Sequence, residues 1–113
     1  SPSAVLHPGV FVGPLAVVSS HAKIGLHSII HIHASVGHDA QIGQYAAILP
    51  GARVSGNVQI GERVLLGSNS FVAAGKSIGD DCRVDALSYV NQDLPANHIL
   101  SPRFPQPVRR VIR

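Results

Sequence analysis

The sequence predicts an all-β fold: a parallel solenoid of short strands wound into a triangular prism. Three observations predict it. A branched aliphatic recurs at every sixth residue, from Leu6 through Val12, Val18, Ile24, Ile30, Val36, Ile42, Ile48, Val54, Ile60, Leu66, Val72, Ile78 and Val84 to Val90. Two residues before each stands a small residue, from Ala4 to Ser88, with Lys76 the one polar intruder of any size. A longer period of 18 is nested inside: Val18, Val36, Val54, Val72 and Val90 are all Val, and Ile24, Ile42, Ile60 and Ile78 are all Ile followed by Gly.

Each observation fixes one level of structure. Residues two apart on a strand share a face, so every hexad turns one small and one branched side chain inward. Period six fits neither a helix nor a hairpin meander; it fits a short strand plus a turn. The residue after the aliphatic is expected to make that turn. Gly fills it at 13, 25, 37, 43, 61, 67 and 79, and Asp85 and Asn91, which tolerate left-handed geometry, fill it twice more. Three hexads make one coil, so residue n lies under n+18, and five coils stack at ~4.8 Å. The beat ends at Val90. Residues 1–91 are expected to form the prism, and 92–113, with four Pro, an irregular basic tail over the last coil.

The bulk numbers agree. With 113 residues the chain is one domain, 45% apolar but only 4% aromatic, so its core is built from Val, Ile, Leu and Ala. The net charge of +3 is concentrated in Arg103, Arg109, Arg110 and Arg113, and no basic face with interleaved aromatics points to nucleic acid. No apolar run approaches the ~18 residues of a membrane span. The one cysteine, Cys82, suits a reducing cytoplasm and, at an inward small position, reads as core. No signal peptide is evident, and the start at Ser1 without Met is expected of an excised or processed piece.

Stacking gives the sequence a candidate site. His38 falls at a corner, with Ser20 below, Gly56 directly above and Ala74 two coils up; Asp39 lies between His21 and Asn57. A base and a bare backbone N–H one coil apart are the minimum for acyl transfer: one takes the acceptor's proton, the other stabilises the oxyanion. The alternative is a solvated turn, since His and Asp both suit corners.

The repeat resembles the hexapeptide-repeat left-handed β-helix family over residues 4–91, and that resemblance supplies the handedness. The stretch "ASVGHDAQIGQYAAILPGARVSGNVQIGERVLLGSNSFV" resembles, more narrowly, bacterial sugar acetyltransferases of the sialic-acid O-acetyltransferase and bacillosamine-pathway N-acetyltransferase type. The resemblance implies acetyl transfer from acetyl-CoA to an amino or hydroxyl group of a sugar or nucleotide-linked sugar. It implies a homotrimer with sites between neighbouring prisms. His38 would be the general base and Asp39 its supporting carboxylate. Gly56 would give an amide to the thioester carbonyl, and Ser68 and Ala86 would line the pantetheine channel. This chain departs from the family pattern in "VDALSYV", in "LSPRFP" after the last coil, and in His31-Ile32-His33. Most such relatives also carry a nucleotide-sugar domain N-terminal to the β-helix.

Seven His in 113 residues invite a metal reading. The five-residue step from His33 to His38 resembles γ-type carbonic anhydrase, a metal-dependent enzyme on the same prism, but the third position that pattern needs is Ala16. His31 and His33 are expected to touch substrate or a neighbouring prism, and Tyr45 to be an exposed interface ring. His7, His21, His27 and His98 are expected on the surface. A third reading is a non-catalytic trimerising module.

Overall fold

A computed structural model describes residues 1–104 and 106–111. Its elements are two-residue strands repeating every six residues, from Val5–Leu6 to Tyr89–Val90. They form three parallel faces. The first holds the strands from Val5–Leu6 to Ser77–Ile78, the second those from Phe11–Val12 to Arg83–Val84, and the third those from Val17–Val18 to Tyr89–Val90. Register is 18 residues throughout these coils: Gln41 pairs Gln59, Ile48 pairs Leu66, and Val72 pairs Val90. The molecule is a left-handed β-helix, as expected.

The second residue of each strand points inward. Ile24, Ile30, Ile48, Leu66, Val72, Val84 and Val90 are all fully buried. Each such burial stabilises by about 1.5–3 kcal/mol. Like stacks on like, so a core without large aromatics still fills the prism. The inward small positions fit the corners; Ala22, Ala34, Ala40 and Ala52 have no exposed surface. Ser28 is tolerated there because its hydroxyl donates to Gly43 O at 2.7 Å and accepts from Ala46 N at 3.0 Å. Leu6, in the first coil, is 49% exposed because no coil lies beneath it.

Two expectations are corrected. The left-handed residue of each turn is the third after the aliphatic, not the first. Positive φ falls on Leu15, His21, His27, His33, Asp39, Tyr45, Asn57, Arg63, Asn69, Asp81 and Leu87, and on Gly9, Gly51 and Gly75. The glycines that follow the aliphatics serve clearance instead. A Cβ on Gly25 would lie 2.5 Å from the carbonyl carbon of Gly43 in the coil above. Three of the seven histidines therefore sit where a left-handed residue is required, a conformation in which His is enriched.

The second correction concerns the tail, which is not irregular throughout. Leu94 bridges Ile78, and His98–Leu100 adds a parallel strand to the second face, pairing Arg83 with Ile99. Val108–Arg109 then pairs antiparallel with His98–Ile99. The winding continues with its register shortened from 18 to 16 residues, which hides it from a strict count of six. Leu94 is 3% exposed and covers the top of the prism. Of the tail's arginines, Arg113 lies outside the described residues.

Candidate functional site

The corner between the third and first faces carries His38, Asp39, Gly56 and Ala74. Its coils are tied at the left-handed residue, whose N–H donates to the carbonyl of the corner below. Asp39 N bonds Ser20 O at 3.0 Å, Asn57 N bonds His38 O at 2.9 Å, and Gly75 N bonds Gly56 O at 3.0 Å. The ladder fixes the height of each corner residue over the last.

Asp39, at φ 59°, is turned so that its carboxylate reaches the ring of the residue before it. His38 Nδ1 lies 3.2 Å from Asp39 Oδ2, and both side chains are more than half exposed. An ionised carboxylate can only accept, so Nδ1 is the donor and the lone pair is left on Nε2. That nitrogen faces the bare Cα of Gly56: a Cβ placed there would meet His38 Nε2 at 2.5 Å, Cε1 at 2.7 Å and Cδ2 at 2.9 Å. Gly56 N–H has no hydrogen-bond partner among the described residues. The arrangement can take a proton at Nε2 and offer an N–H to an anionic oxygen one coil away.

The other expected site residues lie elsewhere. His31, His33, Ser68 and Ala86 occupy the corner between the second and third faces, so a whole face separates them from His38 within one chain. Above His33 stand Gly51, Asn69 and Leu87, all left-handed, and His33 N–H donates to Pro14 O at 3.2 Å. Above His38 stand Gly56 and Ala74. The sequence reading passed over the left-handed Gly75, at which an added Cβ would meet no atom within 4 Å; the step of 18 from Asp39 through Asn57 would have located it. His21 lies beneath Asp39 and is held by its own N–H to Ser3 Oγ at 3.1 Å.

Two polar groups away from this corner are held by the scaffold. Asp81 is held below the usual carboxylate range by its hydrogen bonds to Arg63, at 2.7 and 3.0 Å. Burial pushes the Cys82 thiol up, and its Sγ lies 3.0 Å from Pro95 O. Among the described residues no three His, Cys, Asp or Glu gather where they could hold a metal ion. No described helix is long and apolar enough to cross a membrane.

Two family models match the chain. One, described as bacterial transferase hexapeptide (six repeats), matches residues 39–74; the other, hexapeptide repeat of succinyl-transferase, matches residues 57–92. The fold is a β-helix built on a six-residue repeat, and the two models together match residues 39–92 of it. No curated protein sequence matches it. Solved structures do. A mutant of perosamine N-acetyltransferase from Caulobacter crescentus, in complex with CoA and GDP-perosamine, is 31% identical with a TM-score of 0.77, over 94% of this chain and 53% of that one. The acetyltransferase domain of PglB from Neisseria gonorrhoeae is 25% identical with a TM-score of 0.71, over 95% and 55%. WeeI from Acinetobacter baumannii, at 24% identity and a TM-score of 0.79 over 96% and 56%, shares the fold. The chain spans about half the length of these relatives.

Proposed function

We propose that this domain transfers an acetyl group from acetyl-CoA to an amino or hydroxyl group of a sugar, one carried on a nucleotide. The observation that carries the reading is the placement of His38 Nε2 against the bare backbone of Gly56, with Nδ1 tied to Asp39. The CoA and GDP-perosamine complexes of the similar Caulobacter enzyme support the choice of donor and acceptor.

In this reading the acceptor nitrogen or oxygen attacks the thioester carbonyl while His38 Nε2 takes its proton. Gly56 N–H stabilises the oxyanion. The intermediate collapses with loss of the C–S bond, and the departing sulfur receives the proton from His38. Asp39 holds the tautomer and favours the imidazolium that forms between the two transfers.

The oligomer belongs to the same proposal. The second face turns Phe11, Ile29, Ala47 and Leu65 outward in one column, and the corner beside it exposes Leu15, Ile32 and Leu87. A homotrimer would cover that column. A neighbouring prism could then bring Ser68 and Ala86 to the coenzyme beside His38, and set His31 and His33 against substrate or neighbour. A cytoplasmic location belongs to the same proposal, and the free, buried Cys82 supports it.

Calorimetric titration with acetyl-CoA tests the reading. Saturable binding is expected. No binding at millimolar coenzyme would leave a trimerising module, and stoichiometric zinc that a chelator removes would favour the metal-dependent alternative.

A further inference from the structure

Lys76 stands where the fold calls for a small apolar side chain. The inward register at the corner of His38 reads Ala4, Ala22, Ala40, Val58 and Lys76. Ala22, Ala40 and Val58 are fully buried, whereas Lys76 is half-buried. An unpaired ammonium cannot remain among aliphatics, so the stem lies inside and the charge must leave the prism.

The coil above gives it the exit. Six residues separate Val72 from Ile78, but only four separate Val90 from Leu94, which pairs with Ile78. The residue two before Leu94 is Gln92, which is exposed, so no inward side chain roofs Lys76. Asp93, the acid at this shortened corner, is engaged by Ser77 N–H at 2.8 Å, and no ion pair joins it to Lys76. Lys76 belongs to the edge that carries His38 and Gly56, two coils above His38, a rise of ~10 Å by the strand spacing.

A second unpaired cation flanks the same edge. Arg53 points outward from the third face, three residues before Gly56, stacked between Ser35 and Phe71. Arg63 and Arg83 each hold a carboxylate, and Arg53 holds none among the described residues. Above it stand the exposed rings of Phe71 and Tyr89, their centroids 5.7 Å apart and their planes tilted by 55°.

We propose that Arg53 and Lys76 clamp a phosphate or diphosphate group of the ligand whose reacting end lies between His38 and Gly56. The inference rests on the acyl-transfer reading and deepens it. The phosphate belongs to the coenzyme or to a nucleotide-linked acceptor, and the test separates them.

Calorimetry with CoA, UDP and GDP as probes would be run on the wild type, Lys76→Val, Lys76→Arg and Arg53→Gln. Lys76→Val restores the residue type that Val58 holds one coil below, so its melting temperature is expected to be unchanged or raised. Each charge removal should weaken at least one probe about tenfold, with Lys76→Arg retaining affinity and the salt dependence reduced in the neutral variants. Loss confined to CoA assigns the clamp to the donor, and loss confined to UDP or GDP assigns it to the acceptor. Equal affinity in all variants, with turnover still dependent on His38, overturns the clamp alone. A wild type that binds none of the three overturns the clamp and the acyl-transfer reading together.

Discussion

Gly56→Ala separates the site from the scaffold. The new Cβ would lie 2.5 Å from His38 Nε2 and 2.7 Å from Cε1, so the ring must swing away. His38 is 61% exposed, so the swing is free in packing terms, but it breaks the 3.2 Å contact with Asp39. The backbone at Gly56 has no positive φ, so alanine fits there, and the loss of chain entropy in the unfolded state should stabilise by about 0.4–1 kcal/mol. Turnover should nevertheless fall by about 10²–10⁴, the range for losing a positioned base. Gly25→Ala is the control: its Cβ would meet backbone of the next coil at 2.5 and 2.6 Å, far from His38. It should destabilise by about 1–3 kcal/mol as overpacking does, and spare the chemistry of the folded fraction. Thermal melts and acetyl-transfer rates on both variants read the contrast. A Gly56→Ala protein with full activity would refute the reasoning.

Three further outcomes are expected. Ser28→Ala leaves Ala46 N–H buried without its partner and should cost about 1–3 kcal/mol in a denaturant melt, whereas Ser70→Ala removes a buried hydroxyl that has no partner and should be neutral or stabilising. Cys82 should resist a thiol reagent in the native state and react on unfolding, because the thiol is buried and its ionisation is disfavoured. Asp81 has its folded pKa lowered by Arg63, so its contribution is present above the ordinary carboxylate value of 3.8 and is lost as pH falls below it; Arg63→Gln should raise the midpoint of acid unfolding.

The fold was legible because a prism wall can be built only from a strict period. Fifteen inward aliphatics in one frame leave few other solutions, and the order of 18 names which residues stack. The role of the glycines was not legible, because absence of a side chain serves clearance and left-handed geometry alike; only the backbone shows that Gly25 needs the first and Gly51 the second. The tail was missed because its shortening by two residues at 91–94 moves Leu94 and Leu100 out of frame. At the site, Gly56 was found by the step of 18 from His38, and the structure sets His38 directly beneath it. Ser68 and Ala86 came from motif likeness; they stand 30 and 48 positions from His38, neither a multiple of 18, so they belong to another edge of the same chain. The contact of His38 with Asp39 depends on the left-handed turn at Asp39; the run Asp39, Asn57, Gly75 at steps of 18 marks that turn, but the glycines after the aliphatics drew the expectation to the wrong position.

The measurement that bears most directly on the account is the steady-state rate of His38→Ala against wild type at saturating acetyl-CoA, with coenzyme affinity measured on the same samples. The account predicts a fall of about 10²–10⁴ in turnover with affinity nearly unchanged, because the imidazole moves the acceptor's proton and the coenzyme is held elsewhere. Full activity in His38→Ala would contradict it.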